Sequence, residues 1–382
     1  MHDRSVTVDD VRESAAQDVR PEKRVSWGEL FFDLVFVFAV TQLSALLHRD
    51  HGWAGVGRTL LVFVPVYWAW VGTTIHANTH DVEQPRERIG IFAVGLCSLF
   101  LALGVPGAYG DRAVLFAVAY LVLRWVLLVL VTPGRGLYVN PFTVAALVTG
   151  PMRLAGALAG GSPQLWLWGI AAVLDVATPA LARRRVLLLS FEPNHLPERF
   201  GLFVIIALGE SIVAIGTPVA GAHLGVAEGA AVSCAFVIAC GLWWVYYQFA
   251  ASAIRHGLLI ATVRADIVRQ VLSYAHLVLI GGIIAVAVGL AEAVAHPGHH
   301  LGGGYAGLLY GGAAAYLATF GYTRWRMFGK VSTHRLTAGI VAVLLIPLAA
   351  AVPGLAALAV LAGLLVGLNT FEYWRVARSG GL

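Results

Sequence analysis

The sequence predicts an all-α integral membrane protein: about twelve transmembrane helices forming two parallel six-helix repeats. Three observations carry that reading. The 382 residues are 59% hydrophobic and only 12% charged, with a mean hydropathy of +0.78, outside the range of soluble domains. The apolar runs have the length, about 20 residues, needed to cross a hydrocarbon core. Lys and Arg are distributed between those runs with a strong alternation.

Residues 1–24 are polar and mixed in charge, and no short apolar core with a small-residue cleavage site follows them. They read as a disordered or surface-lying cytoplasmic tail without a cleavable signal peptide. Apolar windows then place helices near 27–47, 53–75, 89–105, 113–131, 140–159, 164–181, 200–219, 227–250, 269–291, 304–323, 336–351 and 354–373. The third is short because Gly104, Pro106 and Gly107 cut its run. Leu336 to Phe371 carries no charged residue, and Pro353-Gly354 divides it into two spans. The domain reading is a first half over 25–185 and a second over 186–382.

Basic residues in short loops stay on the cytoplasmic side. With the N-terminus inside, 21 of the 26 Lys and Arg fall in cytoplasmic segments and three, Arg49, Arg58 and Arg112, outside. Both termini are therefore expected in the cytoplasm of a bacterial inner-membrane protein. The pI near 9.2 reflects this topology and not a nucleic-acid surface. Cys97, Cys234 and Cys240 all lie in apolar runs, so no disulfide framework is expected.

A faint repeat emerges when "ELFFDLVFVFAVTQL" from Glu29 is set against "ERFGLFVIIALGESI" from Glu198. Each half also has an aromatic end to its second helix, around Trp68 and Trp70 or Trp243 and Trp244, read as interfacial anchors. Arg124-Trp125 and Arg324-Trp325 mark the two fourth helices, though at different depths. Six helices per half makes the repeats parallel.

Charges inside spans are the candidate functional positions, since each costs on the order of 2.5–3.5 kcal/mol at the bilayer centre. Glu29 and Asp33, four residues apart, share one face of the first helix and suit proton or cation handling; Glu29 also suits a helix N-terminus. Glu210 falls near mid-membrane in "ALGESIVAIG", either in a transport role or tying its helix to Arg124 or Arg153. Asp175 is a further intramembrane carboxylate. With Arg124 and Arg153 read as the deep cations, a network of three carboxylates and two arginines is expected.

His76 and His80 have i, i+4 spacing, but a wet loop end explains them more simply than a metal. His276 reads as a hydrogen-bonded packing histidine. No phosphate loop, nucleophile elbow or zinc-protease helix occurs, so neither enzymatic activity, a metal nor a cofactor is expected. The expected partners are the lipid bilayer and a small ion or solute.

The strings "WGELFFDLVFVFAVTQLS" (Trp27 to Ser44) and "LPERFGLFVIIALGESIVAIG" (Leu196 to Gly216) closely resemble the bacterial low temperature requirement A family. The resemblance runs from about Arg24 to the C-terminus and implies a multi-spanning bacterial membrane protein linked by name to growth in the cold. A more distant likeness is to endolysosomal and bacterial potassium channels with a Phe-Ser-Asp motif on the first helix; Phe31-Phe32-Asp33 keeps the Phe and the Asp but not the Ser. The leading expectation is an ion- or proton-coupled transporter. The alternatives are a cation channel and a non-transporting stress-adaptation protein.

Overall fold

A computed structural model describes residues 23–132, 139–187, 190–221 and 224–378. No strand occurs among them. Twelve long helices run through the described residues: α1 (Trp27–Arg49), α2 (Trp53–Thr79), α3 (Pro85–Gly107, ending in a 3₁₀ turn), α4 (Ala113–Val131), α5 (Pro141–Ala159), α6 (Gly161–Leu181), α7 (His195–Gly216), α8 (Val226–Ile260), α9 (Arg264–Ala295), α10 (Gly302–Phe328), α11 (Thr333–Ala351) and α12 (Gly354–Arg378). Eleven are long and apolar enough to cross a membrane. The exception is α10, whose 27 residues would measure about 40 Å at 1.5 Å per residue, but whose glycines, tyrosines and arginines dilute its apolarity.

Local chemistry explains where these helices begin and end. Ser26 caps α1: its side chain accepts from the Glu29 amide, while the Glu29 carboxylate accepts from the Ser26 amide and hydroxyl, both at 2.9 Å. Pro85 and Pro141 open α3 and α5, where the missing N–H has no helical partner to lose. Asn140 adds a cap to α5 by accepting from the amides of Phe142 and Thr143 at 2.7 and 3.0 Å. At the far end of α10, Gly329 takes the left-handed conformation (φ 64°) that stops a helix. Residues 1–22 of the expected tail, and Arg135, lie outside the described residues. Lys23 is docked: its ammonium donates to the carbonyls of Ala77, Asn78 and His80 at the C-terminal end of α2. Burial lowers its pKa below the ordinary lysine value.

Helix–helix contacts link neighbours within α1–α6 and within α7–α12. In the first half α1 packs on α2 and α3, α3 on α4, α4 on α5, α5 on α6, and α2 on α6. In the second half α7 packs on α8 and α9, α9 on α10, α10 on α11, α11 on α12, and α8 on α12. The halves meet where α1 and α2 touch α7 and α9. Glycine permits the closest approach, since a Cβ on Gly282 of α9 would lie 2.8 Å from the Gly312 carbonyl of α10, and one on Gly312 would lie 2.6 Å from the Gly282 carbonyl.

The bundle presents apolar side chains on its outside, and its mainly apolar core holds a set of buried charges. Ile89, Val129, Ile340 and Leu344 are exposed, whereas Glu29, Asp33, Arg153, Arg199 and Glu210 are buried. The aromatic groups on α2 depart from the expected interfacial belt. Tyr67, Trp68 and Trp70 are buried because α2 lies among α1, α6, α7 and α9, while Trp243 and Trp244 on the less enclosed α8 remain exposed.

Candidate functional site

The most densely polar part of the core lies where α1, α2 and α7 meet. Arg199 of α7 grips Asp33 of α1 with both terminal nitrogens, Nη1 to Oδ2 at 2.5 Å and Nη2 to Oδ1 at 2.8 Å. Trp70 of α2 donates its indole N–H to Asp33 Oδ1 at 2.9 Å. Arg199 Nε lies 3.5 Å from Glu29, so the guanidinium faces both carboxylates of helix one.

Glu29 is further held by His195, whose Nε2 is 3.1 Å from Oε1. The tautomer follows from the backbone. The Glu192 amide donates to Asn78 Oδ1, and Asn78 Nδ2 donates to the Glu192 carbonyl, which fixes the side-chain amide and turns Nδ2 toward His195 Nδ1 at 3.2 Å. Nδ1 is therefore the acceptor, and Nε2–H donates to Glu29.

A second buried cluster joins α4, α5 and α6. Asp175 is 2.8 Å from Arg153 Nη1 and accepts from Tyr120 at 2.7 Å and Thr149 at 2.6 Å. The Arg153 guanidinium also lies over the Tyr120 ring, 4.5 Å from its centroid. Thr149 belongs to a π-helical stretch, Ala145–Thr149, that interrupts α5.

Glu210 is different. It is 6% exposed, and its polar neighbours are hydroxyls of α1: Thr41 donates to Oε2 at 2.6 Å, and Ser44 is a second partner. Six carboxylates are buried among the described residues. Glu29 and Asp33 face Arg199, Asp175 faces Arg153 and Glu372 faces Arg335; Glu87 has the imidazole of His76 at its side, whereas Glu210 has neither a guanidinium nor an imidazole. Along the α1–α7 seam between Asp33 and Glu210, Phe36 and Phe203 pack edge to face with centroids 6.2 Å apart.

The expected three-carboxylate, two-arginine network is thus divided. Glu210 binds neither Arg124 nor Arg153; it lies on the α1–α7 seam, while Arg153 is committed to Asp175. Arg124, 2% exposed, stacks on the Tyr120 ring at 4.8 Å. The cation that sequence reasoning missed is Arg199, assigned to a loop because the apolar run starts at Phe200. Pro197 and Glu198, both favoured in a first helical turn, were the available signal that α7 starts earlier.

Two histidines complete the account. His276 Nδ1–H donates to Val271 O at 2.9 Å within the π-helical part of α9, and Tyr246 lies 3.0 Å from Nε2. His76 Nε2 is 2.8 Å from Glu87 Oε2, and its ring stacks on His80.

The model of the bacterial low temperature requirement A protein family matches residues 24–370. The chain belongs to the bacterial low temperature requirement A family. A relative from Rhizobium meliloti (strain 1021), described as uncharacterized, is 30% identical over 292 residues, 72% of this chain and 71% of its own length. No solved structure matches the chain. The family match takes in the Glu29–Asp33–Arg199 cluster, the Arg153–Asp175 cluster and Glu210, while Glu372 lies just beyond its end.

Proposed function

We propose that this member of the family is an ion- or proton-coupled carrier of the bacterial cell membrane, with Glu210 as the group that takes up the coupling ion. Its fold in this reading is twelve spans in two parallel six-helix halves, with both termini in the cytoplasm. The bias of 21 basic residues against three supports the orientation. The same neighbour order in both halves supports the repeat. So does a shared side-chain motif: Arg153, Asp175 and Tyr120 on α5, α6 and α4 have counterparts in Arg335, Glu372 and Phe320 on α11, α12 and α10. The counterparts lie at different depths, since Arg335 is in the first turn of α11.

The carrying observation is the unmatched carboxyl of Glu210. A buried carboxyl without a cation at its side is stable in a membrane interior either with a proton on it or with a cation brought to it. Thr41 and Ser44 offer oxygens for either state, as acceptor and donor to a carboxylic acid or as ligands beside a small cation. Asp33, Glu29 and Asp175, matched by guanidiniums, then serve to hold the helices.

The test is a comparison of wild-type and Glu210→Gln protein in liposomes, with an entrapped pH dye and imposed proton, sodium and potassium gradients. Saturable cation movement in the wild type, reduced tenfold or more in the variant, is the expected outcome. Equal fluxes in both would remove Glu210 from the mechanism. A second reading, a membrane protein without flux, draws on the closed Asp33–Arg199 pair and the aromatic packing beside it. It expects no flux above empty liposomes for either protein.

A further inference from the structure

On the face of the bundle where α1 begins, the ends of α2, α4 and α6 and the starts of α5 and α9 enclose a cavity of about 110 Å³. Its walls are largely apolar, with Trp68, Val71, Ile75, Phe142 and Phe191 among them. Three arginines, Arg124, Arg185 and Arg269, line it, and no Asp or Glu does.

Arg124 is the decisive residue. It is buried, and its Nε and Nη2 have no hydrogen-bond partner among the described residues. Its cationic face is used on Tyr120, but the N–H groups in the guanidinium plane remain to be satisfied. Arg269 has an orphan Nε as well, while its Nη2 is taken by Asp266 at 3.0 Å. Room for the Arg124 head is left by Gly72 of α2, where a Cβ would come within 3.0 Å of Nη1.

A buried guanidinium stripped of water and left without a counter-charge costs several kcal/mol, and no described residue supplies that counter-charge to Arg124. Each of the other buried arginines, Arg153, Arg199 and Arg335, has its carboxylate within the protein.

We infer that this cavity is a binding site for a small oxyanion, a carboxylate or phosphate, attached to an apolar body. The planar fork of Arg124 suits two oxygens of such a group, Arg269 adds positive charge at the wall, and Trp68 and Phe142 cover the apolar part. The oxyanion could arrive as a free solute or as the headgroup of an anionic lipid. In the free-solute case the site deepens the carrier proposal, on which that role rests, by naming its cargo as a small organic anion.

Binding is measured without flux. Full-length protein in phosphatidylcholine nanodiscs is melted against sodium benzoate, sodium phosphate and sodium chloride at constant ionic strength. Benzoate is expected to raise the wild-type melting temperature saturably, Arg124→Gln to abolish the rise, and Gly72→Ala to weaken the half-saturating concentration about tenfold. Glu210→Gln should keep the full rise, so loss of the coupling role and loss of the anion site are separable.

A second set of nanodiscs containing phosphatidylglycerol distinguishes the sources. A higher melting temperature there, with the benzoate response gone in the wild type, assigns the site to lipid headgroups. An unchanged benzoate response assigns it to solutes. If Arg124→Gln does not fold, the wild type imaged with 4-iodobenzoate decides: ligand density beside Arg124 supports the site. Water alone in the cavity, no saturable shift with any probe, or an equal shift in Arg124→Gln overturns it.

Discussion

At the scale of single residues, the buried charges divide into matched pairs and two unmatched groups. The Asp33–Arg199 pair is bidentate and buried, so removing one partner strands the other. Asp33→Asn is expected to destabilise the protein in detergent by about 3–5 kcal/mol, and the double variant Asp33→Asn/Arg199→Gln by less than the sum of the single losses. Thermal unfolding of the four proteins checks both. Glu210→Gln contrasts with this, because the carboxamide keeps an oxygen for the Thr41 hydroxyl; its cost is expected within about 1 kcal/mol. The acidic members of these sites were legible in the sequence, since a carboxylate in an apolar run is conspicuous. Their partners were not, because Arg199 stands at a helix edge and pairs across 166 positions of chain.

At the scale of helices, sequence periodicity and length found the twelve long helices, of which eleven are long and apolar enough to cross a membrane, but the ends and surroundings depended on local caps and tertiary packing. The 3₁₀ turn after Gly104 extends α3 past the point where its apolar run is cut, and α-helical turns at Ala251–Ile260 and Arg264–Ile267, each joined to its span by a π-helical stretch, carry α8 and α9 beyond their predicted limits. Which faces are buried was less legible: Trp68 and Trp70 read as interface residues and are core residues, because the neighbours of α2 include helices from the other half. The α9–α10 contact, made backbone to backbone at Gly282 and Gly312, has no flexible side chain that can yield. Gly312→Ala is therefore expected to cost about 1–3 kcal/mol, whereas Ala at Gly311, which has open space beyond it, is expected to be tolerated. Melting temperatures of the two variants in one detergent make the comparison.

At the scale of the whole molecule, the proposed topology has twelve crossings and both termini on one side. A reporter active only in the cytoplasm, fused in turn to each terminus, is expected to be active in both fusions. Opposite results would mean that one helix does not cross, with α10, the least apolar of the twelve, the first candidate. Among the described residues the bundle then holds a carboxyl without a cation on the α1–α7 seam and a guanidinium without an anion at one end, and in the proposed carrier these take the coupling cation and an anion. The most direct test is coupled flux: proteoliposomes of wild type and Glu210→Gln, given an inward benzoate gradient, with internal pH followed by trapped dye at several external pH values. Saturable proton entry is expected in the wild type, with at least a tenfold loss in Glu210→Gln protein that remains folded at the assay temperature. Equal proton entry in the two proteins would contradict the proposed role of Glu210.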